Sequence, residues 1–185
     1  MSQILIIDCG STKVPLFEST LKSFSQNCTI VRLSDFKVSS LPAYSGIIIS
    51  GAPILVTEID TAPYLEQFSF LKEYTNPVLG VCFGHQILGM TYGASSLTCE
   101  PARTDQMVIK EMESPLFEGI SEFIFNQDHC EAISIPDDWN LLASSSICTN
   151  EAMEHPSKLL YGVQFHPETS GENGLRLLKN FCKSC

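Results

Sequence analysis

A cysteine flanked by two glycines stands where an apolar stretch gives way to a helix-like pattern. The run Pro77-Val-Leu-Gly-Val-Cys-Phe-Gly-His-Gln-Ile-Leu-Gly89 contains Gly80-x-Cys82-x-Gly84. Small residues on both sides of Cys82 permit the sharp strand-to-helix turn that exposes a nucleophile above a sheet. The helix that follows would stabilise a thiolate and offer N–H donors to an oxyanion. Cys82 is therefore the candidate nucleophile, against the alternative of a buried structural cysteine.

A histidine and a glutamate follow the last apolar stretch, in Gly162-Val-Gln-Phe-His-Pro-Glu168. A cysteine nucleophile needs a base, and the base needs a group that orients it. Residues i and i+2 of an extended segment point to the same side, which predicts that His166 and Glu168 lie together. The alternative is a strand-end histidine with a structural role. The other three histidines are weaker candidates for the base, and His155 falls in a polar turn.

A third stretch, Ile47-Ile-Ile-Ser-Gly-Ala-Pro53, predicts a buried strand that ends in a turn of small residues. Such a turn would let the backbone N–H groups of Gly51 and Ala52 approach a bound carbonyl. Taken alone, this stretch is better explained as an ordinary exit from a strand.

The elements that must position these residues follow from the hydrophobic pattern. In the first half, β-branched runs alternate with amphipathic stretches, which is typical of βαβ units and a parallel sheet. The predicted strands there are 3–8, 28–33, 46–50 and 77–81, and the predicted helices are 15–25, 61–74 and 84–92. The second half predicts short strands at 107–110, 123–126, 141–145 and 159–165, then a final helix at 174–182. Ligands of such sheets bind beyond the carboxyl ends of the strands.

Composition excludes several classes of protein. The 185 residues are 44% hydrophobic, enough for one domain, 1–185, with a sizeable core. A net charge of -10 and three arginines argue against partners such as nucleic acid or an anionic membrane. The start has no basic signal region, and no apolar run is long enough to span a bilayer, so we expect a cytoplasmic protein.

The eight cysteines are then expected as free thiols. Cys182 and Cys185 form a C-x-x-C pair, but the pair lacks the second ligand pair of a zinc site and the βαβ context of a redox motif. We therefore predict no metal site.

Together, S-G-A-P, G-V-C-F-G-H-Q and G-V-Q-F-H-P-E resemble the class I glutamine amidotransferases of the Cys-His-Glu type. The resemblance covers essentially the whole chain, with the motifs in the family's order. It implies a flavodoxin-like α/β fold: an open, twisted, mainly parallel sheet with helices on both faces and an added mixed or antiparallel portion in the second half. Residues 147–155, 160–168 and 178–181 look most like the separate glutaminase subunit of archaeal-type GMP synthases.

The resemblance implies that Cys82 attacks the side-chain amide of L-glutamine, that His166 moves the protons and that Glu168 orients the imidazole. A thioester would form and hydrolyse to glutamate and ammonia, with no cofactor for this reaction. No phosphate-binding P-loop pattern is present, so ATP and Mg²⁺ are expected on a separate synthetase chain that receives the ammonia. The substrate-binding positions implied by the family are Gly51, Ala52, Phe83, Gln86, Asp128 and Cys130.

Three departures from the family pattern keep alternatives open. Ala52 replaces a usual glycine, where a Cβ could crowd the turn or require an unfavourable backbone angle. Thr12 stands where GMP synthases tend to have glutamine, and 126–133 is altered and one residue short. The alternatives are a free-standing γ-glutamyl hydrolase, an amidotransferase subunit for an anthranilate or aminodeoxychorismate synthetase, and a catalytically weak regulatory homologue.

Overall fold

The computed structural model describes residues 3–185 and centres on an eight-stranded sheet. The strand order is β2-β1-β3-β4-β12-β11-β10-β7, parallel from β2 to β12 and antiparallel beyond. The strands of this sheet are β1 (Gln3–Asp8), β2 (Asn27–Arg32), β3 (Gly46–Ile49), β4 (Val78–Val81), β7 (Ile109–Lys110), β10 (Asn140–Ser144), β11 (Ala152–Glu154) and β12 (Leu160–Val163).

Four α-helices and two small sheets complete the described structure. The helices are α1 (Val14–Ser23), α2 (Ala62–Gln67), α3 (Phe83–Thr91) and α4 (Gly171–Lys183). One two-stranded sheet pairs β5 (Ser96–Ala102) with β9 (His129–Ile133), and the other pairs β6 (Asp105–Met107) with β8 (Ile124–Asn126). In this part of the chain, none of the helices has the length and hydrophobicity needed to cross a bilayer.

Both faces of the large sheet are covered by helices, because its central strands are apolar on both sides. β3 and β4 are buried at every residue, as strands between two helical layers must be. On one face α1 and α4 pack with residues such as Phe17 and Phe181, and on the other α3 packs with residues such as Phe83 and Ile87. The predicted mainly parallel sheet with an antiparallel addition is confirmed.

The register of the parallel strands decides where the candidate residues meet. β4 lies between β3 and β12, with Gly80 opposite Ile49 and Val81 opposite Val163. The segments that follow these three strands therefore leave the sheet at one edge. That edge carries the S-G-A-P turn, the cysteine turn and the histidine segment.

Several predicted elements were wrong in detail. The helix predicted at 61–74 ends at Gln67, and a 3-10 turn occupies Ser69–Lys72. The strand predicted at 107–110 is divided between β6 and β7, which belong to different sheets. Strand β9 begins at His129, inside the altered stretch 126–133. β5, β9 and β11 were not predicted, because long-range pairing rather than local alternation of apolar residues stabilises such strands.

Candidate active site

The turn at Cys82 has the conformation expected of a nucleophile elbow. Cys82 has φ 52° and ψ −108°, an unfavourable backbone for a residue with a side chain, and α3 begins at Phe83. A Cβ added to Gly80 would lie 2.5 Å from the Gly84 carbonyl oxygen, and one added to Gly84 would overlap the Ile49 carbonyl. The two glycines are thus required by the close packing of the first turn of α3 on β3 and β4.

His166 and Glu168 are paired at the end of the segment that follows β12. His166 Nδ1 lies 2.8 Å from Glu168 Oε1, and both side chains are almost fully buried. The sequence predicted that the two residues meet along an extended segment, and this geometry was wrong. Pro167–Thr169 is a 3-10 turn that brings the carboxylate back to the ring. The backbone N–H of His166 donates to Asn126 O at 2.8 Å, and the Ser170 hydroxyl donates to His166 O at 2.7 Å.

The imidazole of His166 is held in its protonated form. Burial disfavours the charged ring, but the interactions with Cys82 and with the Glu168 carboxylate outweigh burial and raise the pKa of His166 from 6.5 to about 9. The second ring nitrogen, Nε2, is buried and makes no hydrogen bond to any other group in residues 3–185. That nitrogen is available for proton exchange with the thiol or with a bound molecule.

The S-G-A-P turn approaches both of these side chains. A Cβ added to Gly51 would lie 3.3 Å from His166 Cε1 and 3.5 Å from the Cβ of Cys82. The Ser50 hydroxyl holds the turn by accepting from Cys9 N and donating to Gly51 O, each at 2.9 Å. Ala52 is not among the residues of 3–185 with positive φ, so it does not need the backbone angle that alanine disfavours.

A cavity of about 290 Å³ opens beside Cys82, close to the lower end of the range for small-molecule sites. Gln86 reaches it from the first turns of α3, and its amide donates to Gln164 Oε1 at 3.1 Å. The predicted residues Ala52, Asp128 and Cys130 line it as well, together with Pro53, Ile54, Leu55, Arg103, His129 and Glu131.

A second cavity of about 140 Å³ meets the first at Cys82 and is also lined by His166. Asp128 borders both cavities and is held by two cations, because Lys13 Nζ and Arg103 Nη1 each lie 2.9 Å from one of its oxygens. Partial burial opposes ionisation of Asp128, but Lys13 outweighs it and holds the pKa of the carboxyl below its ordinary value.

One wall of the larger cavity is fixed by a buried carboxylate. Glu131 accepts hydrogen bonds from the backbone N–H groups of Val56 and Thr57, each at 2.8 Å, and from the Thr57 hydroxyl. Sequence reasoning missed this residue, together with Lys13, Arg103 and Gln164. Arg103 alone carried a signal, as one of only three arginines in an acidic chain.

His85 and the C-terminal cysteines have structural positions. Burial lowers the pKa of His85 to about 3, so this ring is neutral in the core. Burial raises the pKa values of Cys182 and Cys185 to about 12, and both pack against the core as thiols. Residues 3–185 contain no group of three or more His, Cys, Asp or Glu side chains arranged to hold a metal ion.

Sequence comparison identifies the relatives of this chain. The family described as glutamine amidotransferase class-I matches residues 5–185. One relative, a subunit of GMP synthase (glutamine-hydrolyzing) from Methanococcus maripaludis strain C7, is 38% identical over 98% of this chain and 96% of its own length. The subunit of the same name from Methanocaldococcus jannaschii is 34% identical over 98% of this chain and 97% of its own length.

Solved structures show the same fold. A Thermoplasma acidophilum protein assigned as a subunit of GMP synthase superposes with a TM-score of 0.91 at 26% identity, covering 100% of this chain and 94% of its own. A glutamine amidotransferase of Thermotoga maritima superposes with a TM-score of 0.79 at 19% identity, covering 98% of this chain and 83% of its own. At that lower identity the likeness concerns the fold.

Proposed function

The chain belongs to the class I glutamine amidotransferases, and from that membership we propose that Cys82, His166 and Glu168 are the catalytic triad of its glutaminase reaction. The observation that carries the proposal is the buried His166–Glu168 pair at 2.8 Å, placed beside a cysteine on a strained strand-to-helix turn. Packing alone gives no reason to hold a cysteine in that backbone conformation next to a charged imidazole.

The proposed reaction proceeds in two steps that use the same residues. The Cys82 thiolate attacks the carbonyl carbon of the side-chain amide of L-glutamine. The protonated His166 gives its proton to the amide nitrogen, which leaves as ammonia, and a glutamyl thioester remains. His166 then takes a proton from water, which attacks the thioester, and the thiol leaves with glutamate as the product. The raised pKa of His166 supports the first step, since the ring carries a proton at neutral pH.

The oxyanion of each tetrahedral intermediate needs donors at the same edge of the sheet. We assign these to the backbone N–H groups of Phe83, at the start of α3, and of the Gly51–Ala52 turn. Gln86, Asp128 and Cys130 line the larger cavity and form the binding surface for the rest of the substrate.

We further propose that the ammonia is used for GMP synthesis by a separate synthetase subunit in the cytoplasm. The support is the name shared by the two Methanococcus and Methanocaldococcus relatives described above, both matched over nearly their full length. ATP and Mg²⁺ bind the synthetase in this proposal, and the glutaminase reaction uses no cofactor.

The triad is tested by alkylation of the purified chain. A chloroketone analogue of L-glutamine should modify Cys82 selectively, and free L-glutamine should slow the modification. Cys82→Ala should abolish glutamate release, whereas Cys148→Ala, a substitution at another buried cysteine, should retain it. If mass spectrometry finds the analogue on another cysteine, or glutaminase activity survives in Cys82→Ala, the assignment of the nucleophile is wrong.

The acceptor is tested by reconstitution with the synthetase subunit of an archaeal GMP synthase. With XMP, ATP and Mg²⁺, GMP should form from glutamine with the wild-type chain but not with Cys82→Ala, whereas ammonium salts should support GMP formation in both mixtures. Release of glutamate without GMP would contradict this acceptor. A γ-glutamyl peptide and a chorismate-dependent synthetase, supplied in separate assays, test the other activities that the sequence leaves open.

A further inference from the structure

An exposed apolar pair lies on the two-stranded sheet of β6 and β8. Met107 stands directly opposite Ile124 in this sheet, and the two residues are 74% and 39% exposed. Phe125, the next residue of β8, is fully buried, so the sheet turns one face to the core and the other to solvent. A solvent face of this kind ordinarily carries polar side chains, and here it carries two large apolar ones.

The apolar surface continues onto the edge strand of the large sheet. Ile109 on β7 is 58% exposed, and it is separated from Met107 by the buried Val108. The Val108 N–H donates to Phe123 O at 2.7 Å, which extends the pairing of β6 and β8 by one residue. We call Met107, Ile109 and Ile124 the β6–β8 patch. A groove of about 470 Å³ lies between its two strands, so the patch has a concave centre that another molecule could fill.

The β6–β8 patch lies beside the candidate active site. Arg103, two residues before β6, and Asp128, two residues after β8, both line the cavity that contains Cys82. Even a fully extended chain places Met107 no more than about 14 Å from Arg103. A partner that covers the patch therefore stands next to the mouth of this cavity.

Resting on the proposed transfer of ammonia to a separate chain, we propose that the β6–β8 patch is the surface on which the synthetase subunit docks. Ammonia that escapes into water takes up a proton and loses the lone pair with which it attacks an acceptor. A synthetase seated beside the cavity shortens that exposure. The position of the patch thus suits a partner that consumes the product of the Cys82 reaction.

The charges around the patch indicate the character of its partner. Residues 105–124 contain five carboxylates and a single basic residue, Lys110. Asp105 and Glu122 lie two residues from Met107 and Ile124 respectively, and both are exposed. Among the salt bridges of residues 3–185, none involves Asp105, Glu111 or Glu122. An apolar centre with an acidic rim matches a surface that is apolar in the middle and basic around it.

This charge favours the synthetase over a second copy of the chain. A symmetric dimer through the patch would place the same carboxylates of both copies face to face, and each copy carries a formal charge of -10. A synthetase that binds ATP and a nucleotide must hold their phosphates with cationic groups. The positive potential around such a site complements the acidic rim and would steer the two subunits together.

The test measures binding to the synthetase subunit of the reconstitution assay by isothermal titration calorimetry. Met107→Thr/Ile124→Thr should raise Kd about 10- to 100-fold, because threonine suits a strand but removes apolar area from the interface. The matched control is Val38→Thr/Leu159→Thr, at two exposed apolar residues near the opposite edge of the large sheet, and it should bind as wild type. Both variants should react with the chloroketone analogue at the wild-type rate, which shows that the cavity beside Cys82 is intact.

GMP synthesis supplies a second readout. At subunit concentrations below the raised Kd, Met107→Thr/Ile124→Thr should make less GMP from glutamine, whereas synthesis from ammonium salts should be unchanged. Glu122→Gln should raise Kd about 2- to 5-fold and lessen its dependence on salt, because one carboxylate of the rim is neutralised. Glu73→Gln, at an exposed carboxylate far from the patch in the chain, is the control for charge.

Three results would count against the docking surface. Equal binding by the wild-type chain and Met107→Thr/Ile124→Thr, or equal losses in that variant and its control, would overturn the assignment while the proposed function stands. Light scattering that finds a dimer of the wild-type chain and a monomer of the variant would overturn it as well, since the occupant would be a second copy. If the wild-type chain does not bind the synthetase, the proposed acceptor fails together with this inference, and alkylation of Cys82 still decides the triad.

Discussion

At the residue scale, the charge on His166 is set by its two neighbours. In the folded chain the pKa of His166 is raised to about 9 against the opposing effect of burial. The stability contributed by this ionisation is fully present below about pH 6.5 and is lost as the pH rises through 9. An NMR titration should therefore find His166 changing protonation near pH 9.

Glu168→Gln should move that midpoint downward, because the imidazolium loses the carboxylate that pairs with it. The same variant should lower kcat by about 100-fold or more, as loss of the orienting carboxylate does in related triads. His85 serves as an internal reference, since burial keeps its ring neutral throughout the titration. An unchanged midpoint in Glu168→Gln would contradict the role given to this pair.

The backbone of Cys82 supplies a second prediction at this scale. At most positions a glycine makes the folded protein less stable than an alanine does, by about 0.5–1 kcal/mol, because glycine loses more conformational freedom on folding. At φ 52° and ψ −108° the order should reverse, with Cys82→Gly more stable than Cys82→Ala by about 1 kcal/mol. Urea unfolding of the two variants measures the difference. If Cys82→Ala is instead the more stable of the two variants, the turn stores no strain.

At the element scale, the closeness of α3 to β3 depends on one missing side chain. A Cβ at Gly84 would overlap backbone, the Ile49 carbonyl, whereas one at Gly89 would meet the ends of flexible side chains, Ile133 and Met153. Gly84→Ala should thus cost about 2 kcal/mol or more and disturb the cysteine turn. Gly89→Ala, the control on the same helix, should cost clearly less. Thermal unfolding and glutaminase rates of the two variants test this, and equal losses would argue against the stated packing.

At the scale of the whole molecule, net charge opposes compaction. The chain carries a formal charge of -10, so the negative charges on its surface repel one another at low ionic strength. Raising NaCl from about 0.05 to 0.5 M should raise Tm by roughly 2–5 °C, because salt screens exposed charges. The increase should shrink near pH 5.5, closer to the sequence pI of about 4.7. A salt effect of the same size at both pH values would point to ion binding instead of screening.

The motif residues and the fold class could be predicted from the sequence because both depend on local patterns. Gly80-x-Cys82-x-Gly84 predicts its turn, and the alternation of apolar runs predicts the parallel sheet. The pairing of His166 with Glu168 was also predicted, although its geometry was not: a 3-10 turn, not an extended strand, brings them together. Short strands such as β9 were missed, because their partners lie far away in sequence.

Only the tertiary structure decided what surrounds Cys82. The neighbouring positions of β3, β4 and β12 bring three separate turns to one edge, and this follows from strand order rather than from any single segment. Lys13 and Arg103 lie far apart in the chain and meet at Asp128 only after folding. Charge pairs of this kind leave no periodic trace in a sequence, since their spacing reflects the path of the chain and not the repeat of a helix or strand. The sequence by itself therefore determined which residues are the candidate nucleophile and base, while folding determined the cavity beside them.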